Sequence, residues 1–394
     1  MKEKQNDISL DSWSGLQLLV FSLVAAAFTT IYITQPVLPI FRSEFEVGET
    51  YASLTISAVI FGIALSNCPL GIAADRFPIK PIILTGGIVI TLCSLACSIT
   101  TSISLLIGTR FVQGLFIPCL TTCVAAFLSK TLPREKLNVV MGSYISATVA
   151  GGLGGRLLGG FIHPPLHWRY AFVTASVMVF LATLAAYRFL PHEKSKNPAD
   201  PEDQGFLALI VRPELLRTFL VAFSAFFVFS SVFNYLPFYL SSPAFGASTN
   251  AITFMYTSYV IGIVMGPVAG NLSNRMGNGV IMALGAVVFA VSIGTTLIKS
   301  MPGIALSLCG ICAGFFAVHA AAAGSLNRRL VSSRGRANSL YVLFYYLGGF
   351  AGISVSGYMY VLSGWPGIVV TGWLVLIIPF ATGMWELKHR KPTP

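Results

Sequence analysis

Long apolar runs, separated by short charged breaks or by Pro/Gly punctuation, follow one another along almost the whole chain. Cutting at those breaks leaves segments of roughly 20 residues, enough for a helix rising about 1.5 Å per residue to cross about 30 Å of hydrocarbon. Twelve spans are predicted, approximately 16–38, 51–73, 81–100, 103–127, 138–161, 169–190, 217–240, 250–272, 279–298, 303–325, 337–362 and 366–386. The long polar stretch falls between the sixth and seventh, His192 to Asp203, with Lys194, Lys196, Asp200, Glu202, Asp203 and two prolines. It predicts a linker, and the chain divides into 1–190, a cytoplasmic linker 191–213, and 214–394. Backbone in lipid must satisfy its own polar groups, so the pattern predicts an all-α polytopic membrane protein.

The second half copies the first. Gly71-Ile-Ala-Ala-Asp75-Arg76 recurs 199 positions later as Gly270-Asn-Leu-Ser-Asn274-Arg275. At an offset of 197, Tyr144, Gly151, Gly152, Gly155, Gly160 and Trp168 recur as Tyr341, Gly348, Gly349, Gly352, Gly357 and Trp365. A duplicated multi-helix unit in one lipid-embedded chain predicts two pseudo-symmetric six-helix bundles with a path between them.

Composition agrees: 55% of residues are hydrophobic and 10% charged, and mean hydropathy is +0.77. A soluble core is excluded. The net charge of +11 could suggest nucleic acid, but its placement points to topology instead. With the N-terminus inside, the inner segments hold 20 of the 25 Lys and Arg, against three outside: Arg42, Arg169 and Lys299. Both termini are therefore expected in the cytoplasm, beside an anionic leaflet. The first span is too long for a signal peptide, is preceded by Glu3, Asp7 and Asp11, and lacks a small-residue cleavage site. All seven cysteines fall inside apolar spans, which argues against a disulfide framework. Cys309-Gly-Ile-Cys312 has redox spacing without a βαβ context, and Cys93/Cys97 and Cys119/Cys123 lack further ligands, so no metal or other cofactor is expected. No His-Glu-x-x-His, intramembrane aspartate pair or Gly-x-Ser-x-Gly suggests an enzyme.

Several motifs carry a resemblance to a known family. Gly71, Asp75 and Arg76 match the loop signature between the second and third helices of the major facilitator superfamily, with Pro78 where glycine is usual. Gly142, Gly151, Gly155, Gly159 and Gly160 resemble the fifth-helix signature of its antiporter branch, with Arg156 in place of proline. Arg110-Phe-Val-Gln113-Gly114 resembles the fourth-helix signature. Gln35-Pro36, Asn234-Tyr235-Leu236-Pro237, His319 and Arg334-Gly-Arg336-Ala-Asn338-Ser-Leu-Tyr341 resemble the YnfM-type acriflavine-sensitivity group of exporters. The resemblance covers essentially the full length. It implies a monomeric secondary transporter in the plasma membrane, which is the inner membrane if the source is prokaryotic, exporting a small organic molecule by alternating access, with protons as the coupling ion.

The same residues have physical readings of their own. Gly71, Asp75 and Arg76 on the first inner loop can latch a neighbouring helix end when the inner gate shuts, or can simply stop and orient the second helix. Tyr144, Thr148, Gly151, Gly155 and Gly159 share one helix side, as do Asn338, Tyr341, Tyr345, Gly348 and Gly352. Such grooves pack helices, with Gly151, Gly155 and Gly159 as candidates for gating, or, through the tyrosines, touch a ligand. The fourteen Asp and Glu residues lie in loops or near the termini, which leaves no carboxylate for the cavity, whereas Arg110 and Arg156 fall within spans. A charge there costs roughly 2.5–3.5 kcal/mol on insertion scales, so each arginine needs a role. Either it is a structural donor, or it holds a ligand. Buried cations without buried acids favour an anionic ligand, which keeps uptake or exchange of an organic anion as an alternative. A non-transporting membrane receptor is a remoter one. Gln35, Gln113, Asn234 and Tyr235 are candidate ligand contacts or interhelical hydrogen bonders. Mid-span His319, whose ordinary pKa of about 6.5 lies nearest physiological pH, is the candidate proton carrier, or else a neutral interhelical bonder.

Overall fold

A computed structural model describes residues 10–190, 205–330 and 333–389. Among them every regular element is an α- or 3₁₀-helix. Helices follow because each apolar run keeps its hydrogen bonds within itself. The second, third, fifth, sixth and seventh spans are Glu49–Arg76, Ile79–Ile99, Arg134–Ile162, Trp168–Phe189 and Pro213–Ser241. The ninth and tenth are Asn278–Thr295 and Met301–Arg328.

The remaining spans are broken, and the breaks have local causes. The first is Leu10–Tyr32, a 3₁₀ turn Gln35–Val37 and a short helix Leu38–Glu44. Pro36 and Pro39 each remove an N–H from the ladder there. The fourth, Ile103–Leu120 and Thr122–Thr131, breaks at Thr121, three residues past Pro118. The eighth is Thr249–Met255, a 3₁₀ turn Tyr256–Tyr259, then Val260–Met276. The last two form one continuous stretch, Arg334–Lys388, interrupted at Gly364 with φ 62° and ψ −149°. That conformation suits glycine, and Pro366 reopens the helix beyond it. Twelve crossings in two six-helix bundles result.

The expected loop after the second span needs correction. Asp75 and Arg76 form the last helical turn rather than a loop, and only Phe77 and Pro78 separate the second and third spans. Arg76 thus sits where a cation favours the negative end of the helix dipole. The Asp75 side chain lies outside the described residues, as do residues 191–204 of the expected linker and the chain ends.

The duplication is visible in space. A Cβ at Gly151 would run into the Ala25 carbonyl and one at Gly155 into that of Thr29, so the fifth span packs backbone to backbone on the first. Gly348 and Gly352 meet the carbonyls of Phe223 and Phe227 in the same way, setting the eleventh on the seventh. Trp168 packs edge-on against Phe41 at 4.8 Å, and its copy Trp365 stacks on Tyr239 at 4.4 Å.

Candidate functional site

The break in the first span creates the site's central problem and its solution. A helix leaves its last four carbonyls without intrahelical donors. Arg110 supplies donors to two of them. Its Nη1 donates to the Thr30 carbonyl and its Nη2 to that of Ile31, both at 2.5 Å, while Nε donates to Thr55 at 3.0 Å. The Gln113 Oε1 accepts from Arg110 Nη1 at 2.5 Å, and Gln113 Nε2 donates to Ser94 Oγ at 2.8 Å. Arg110 and Gln113 are fully buried inside the first bundle. Of the two readings open for them, this geometry matches the structural donor: a cation at a helix C-terminus, its fork filled by protein.

Past the break, the chain turns Gln35 toward the fifth span. Gln35 Oε1 accepts from Arg156 Nε at 2.6 Å, and Arg156 Nη1 donates to the Gly152 carbonyl at 2.6 Å. The third bond crosses to the other bundle, from Nη2 to the Tyr259 hydroxyl at 2.6 Å. Three tyrosine rings surround the guanidinium, with centroids 3.9 Å (Tyr32), 4.1 Å (Tyr259) and 5.4 Å (Tyr256) from Cζ. Arg156 is 1% exposed, and among the described residues no carboxylate pairs with it. Two of its five N–H groups remain uncommitted. At the equivalent places in the second bundle, counted by the contacts that pair the two halves, stand Ile353 and Phe233. The cationic site belongs to one half only.

Across the junction lies an aromatic wall. Phe229 stacks on Phe315 at 3.9 Å, Phe226 on Tyr345 at 3.8 Å, and Phe233 meets Tyr259 edge-on at 4.9 Å. His319, half-buried, has its Nδ1 3.0 Å from the Tyr341 hydroxyl and its ring 5.3 Å from that of Tyr345. Tyr341, Tyr345 and His319 are thus brought together. Tyr235 points elsewhere, donating to the Ile353 carbonyl at 3.0 Å and pinning the seventh span to the eleventh. Asn234 is fully buried, and neither its Oδ1 nor its Nδ2 has a hydrogen-bond partner.

The bundles touch at both ends. At the end that the charge pattern assigns to the outside, Gly160 abuts Thr253, Phe161 meets Phe254 at 5.3 Å, and Gly357 abuts Thr50. At the other end Asn67 Nδ2 donates to the Ser339 carbonyl at 3.3 Å and its Oδ1 accepts from Thr122 at 2.5 Å. Gly71 faces Thr122 and Ser339 beside this bond. Gly151, Gly155 and Gly159, expected to gate, pack on the first span within their own bundle, because their missing Cβ atoms admit its backbone. Sequence reasoning missed Tyr32, Asn67, Thr253, Tyr256 and Tyr259. The available signals were Tyr256-Thr-Ser-Tyr259, a polar pair one turn apart, and Asn67 inside an apolar span.

A pair of duplicated bundles around a polar centre narrows the possibilities to one architecture, and the family model for the Major Facilitator Superfamily matches residues 20–248 and 242–394. The chain belongs to that superfamily. This facilitator is 26% identical to the inner membrane transport protein YnfM of Escherichia coli K12 over 380 residues, 93% of this chain and 89% of that protein. It is 28% identical over 263 residues to the multi-drug resistance efflux pump PmrA of Streptococcus pneumoniae, covering 63% of this chain and 64% of the pump. A bacterial homologue of the human lysosomal transporter Spinster, solved inward-facing and unoccupied, superposes with a TM-score of 0.77 at 14% identity, covering 98% of the facilitator and 100% of that structure.

Proposed function

We propose that this transporter exports a small organic compound carrying an anionic or strongly electron-rich group, by alternating access and in exchange for protons. The buried Arg156 carries the reading: an unpaired cation with two uncommitted donors, sitting where the bundles meet. A ligand carboxylate reaching it would form a charge-assisted, forked bond of the kind arginine makes best. Because Tyr259 belongs to the other bundle, ligand binding and opening of the junction compete for the same guanidinium. Export is supported by the similarity to an efflux pump. Uptake or exchange of an organic anion uses the same arginine and is the second reading.

In this reading the halves 1–190 and 214–394 rock about the linker 191–213, with both termini in the cytoplasm and a monomer as the working unit. Asn67, Gly71, Asp75 and Arg76 serve the inner gate, while Gly160 and Thr253 serve the outer. His319 carries the coupling proton, with Tyr341 positioning its ring. Arg110 and Gln113 support the site without touching the ligand, as the helix-capping geometry suggests.

The test is a binding screen of purified protein with matched anionic, neutral and cationic aromatic compounds, since a ligand of the folded state raises the melting temperature by mass action. Anions are expected to stabilise, and Arg156→Ala to abolish the effect. Tight binding of a quaternary cation, unaffected by anions and by Arg156→Ala, would overturn the anionic reading. For coupling, His319→Gln in proteoliposomes is expected to remove pH-driven flux and spare downhill exchange. A mutant that still concentrates substrate with the wild-type pH dependence would dismiss His319.

A further inference from the structure

Asn234 stands out among the buried polar groups of the described residues because both ends of its carboxamide lack a partner. Buried amides are nearly always hydrogen-bonded, because leaving both donor and acceptor empty forfeits their solvation without return. Its neighbours follow the rule: Ser230 donates to the Gly349 carbonyl at 3.0 Å, Ser231 accepts from Ser356 at 2.8 Å, and Tyr235 donates to Ile353. Asn234 alone among these four offers a full carboxamide, acceptor and two donors, to no protein group.

Its place is next to the cationic centre. The preceding residue, Phe233, packs on Tyr259 and gives its carbonyl to the Tyr256 hydroxyl at 3.1 Å, and both tyrosines flank Arg156. The helix carrying Asn234 also packs on the 3₁₀ turn that bears Gln35, the residue bonded to Arg156. Thr34, which leads into that turn, is likewise buried with an unpartnered hydroxyl. Two buried side chains without partners, Thr34 and Asn234, therefore lie on the first and seventh spans, whose packed segments carry residues that bond Arg156 or pack on a tyrosine flanking it.

We propose that Asn234 is the second anchor of the ligand site, taking an amide-type edge, an adjacent donor and acceptor, on an organic anion whose charged group is held by Arg156. A carboxamide is bonded in full by a group that presents donor and acceptor on one edge, as a primary amide, a lactam or a terminal ureido group does and a trans secondary amide does not. The class is thus an aryl or alkyl carboxylate bearing such an edge, with an aromatic portion accommodated by the Phe/Tyr wall. A site built to bond such an edge discriminates against analogues lacking it, because its own buried groups are then left empty. This rests on the anionic reading above.

2-Oxo-1,2-dihydroquinoline-4-carboxylate, 1-naphthoate and the methyl ester of the first separate the terms. They share a flat bicyclic shape, but the second lacks the lactam edge and the third lacks the charge. Calorimetry or thermal shift on the purified wild type is expected to rank the lactam carboxylate at least tenfold tighter than either. Asn234→Leu should reduce the lactam carboxylate to the affinity of 1-naphthoate, leave 1-naphthoate within about twofold, and leave the ligand-free melting temperature unchanged or higher. Asn234→Asp, which keeps the size and loses the donors, should weaken the lactam carboxylate similarly. If the anions bind with no preference for the amide, or Asn234→Leu affects both equally, the Asn234 anchor fails while the Arg156 reading stands. If neither anion binds, both fail. A fall of several degrees in the ligand-free Asn234→Leu protein would make the amide structural and overturn the proposal.

Discussion

At the residue scale, two arginines of the same chemistry acquire opposite roles from what lies within 3 Å of them. Arg110 commits four donors, two of them to carbonyls exposed at a helix break and the others to the Thr55 carbonyl and Gln113, whereas Arg156 bonds an amide, a carbonyl and a hydroxyl and keeps two donors. Replacing the fork with a point charge should separate them. Arg156→Lys is expected to weaken anion binding roughly tenfold to a hundredfold with little loss of stability, since charged hydrogen bonds contribute about 1.5–3 kcal/mol. Arg110→Lys, which cannot cap two carbonyls and Thr55 at once, should instead lower the melting temperature and leave the ligand selectivity as it was. Titrating each purified variant with one anion while recording its unfolding curve distinguishes these outcomes. A second residue-scale effect concerns pH. His163, just past the C-terminal end of the fifth span, has its pKa lowered by burial and then by His167, with Glu44 opposing. The folded state therefore prefers it neutral, so its contribution is present above the ordinary value near 6.5 and is lost as pH falls through the folded pKa. His163→Asn should flatten the decline in melting temperature between about pH 7 and pH 5. An unchanged slope would remove His163 from the acid response.

At the element scale, glycine placement decides which helices can touch along their backbones. Gly155 lies against the Thr29 carbonyl with no room for a methyl group, whereas Gly108 has open space around its Cα. Gly155→Ala should cost about 1–3 kcal/mol through overpacking, while Gly108→Ala, in a helix interior, should be neutral or stabilising by up to about 1 kcal/mol. Melting the two variants side by side checks the contrast, and equal behaviour would refute the close approach. The breaks at Gln35–Val37 and Tyr256–Tyr259 matter as much as the glycines. Each interrupts a span next to Arg156, one delivering Gln35 and the other Tyr256 and Tyr259. Discontinuous helices at mid-membrane are where transporters place their polar chemistry, because irregular backbone is tolerated only where protein or a cavity meets it.

At the scale of the whole molecule, the alternating-access proposal requires that contacts at one end of the bundle junction break as those at the other form. The outer set is largely apolar and small, Gly160 on Thr253 and Phe161 on Phe254, whereas the inner set includes the Asn67–Ser339 hydrogen bond. Gate residues bias the two states without touching the ligand. Asp75→Asn and Asn67→Ala are therefore expected to slow transport roughly tenfold, about 1.4 kcal/mol in the balance of states, while changing equilibrium binding much less. Parallel flux and binding measurements decide it, and unaltered flux with normal expression would return both residues to a purely structural role. Orientation is testable separately: a reporter cysteine at Ser195 should resist an impermeant reagent added outside intact cells.

The sequence by itself determined the architecture, because lipid imposes length, apolarity and internal hydrogen bonding on every crossing, and those constraints are written residue by residue. The duplication was legible for the same reason: Gly151 and Gly348, Trp168 and Trp365 recur where the same close packing recurs. Helical spacing put Tyr341 and Tyr345 on one side of the eleventh span, but the packing of the tenth against it is what brings His319 to them. What a charge does once buried was not legible, since Arg110 and Arg156 differ only in partners contributed by distant segments. The Tyr259 hydroxyl lies 103 positions from Arg156 and the Thr30 carbonyl 80 from Arg110. Nor could periodicity reveal that Asn234 is left without a partner while Tyr235 beside it is bonded, because a single step around a helix turns a side chain by about 100° toward different neighbours. Only the packing of two bundles decides which of those directions meets protein and which is left for a ligand.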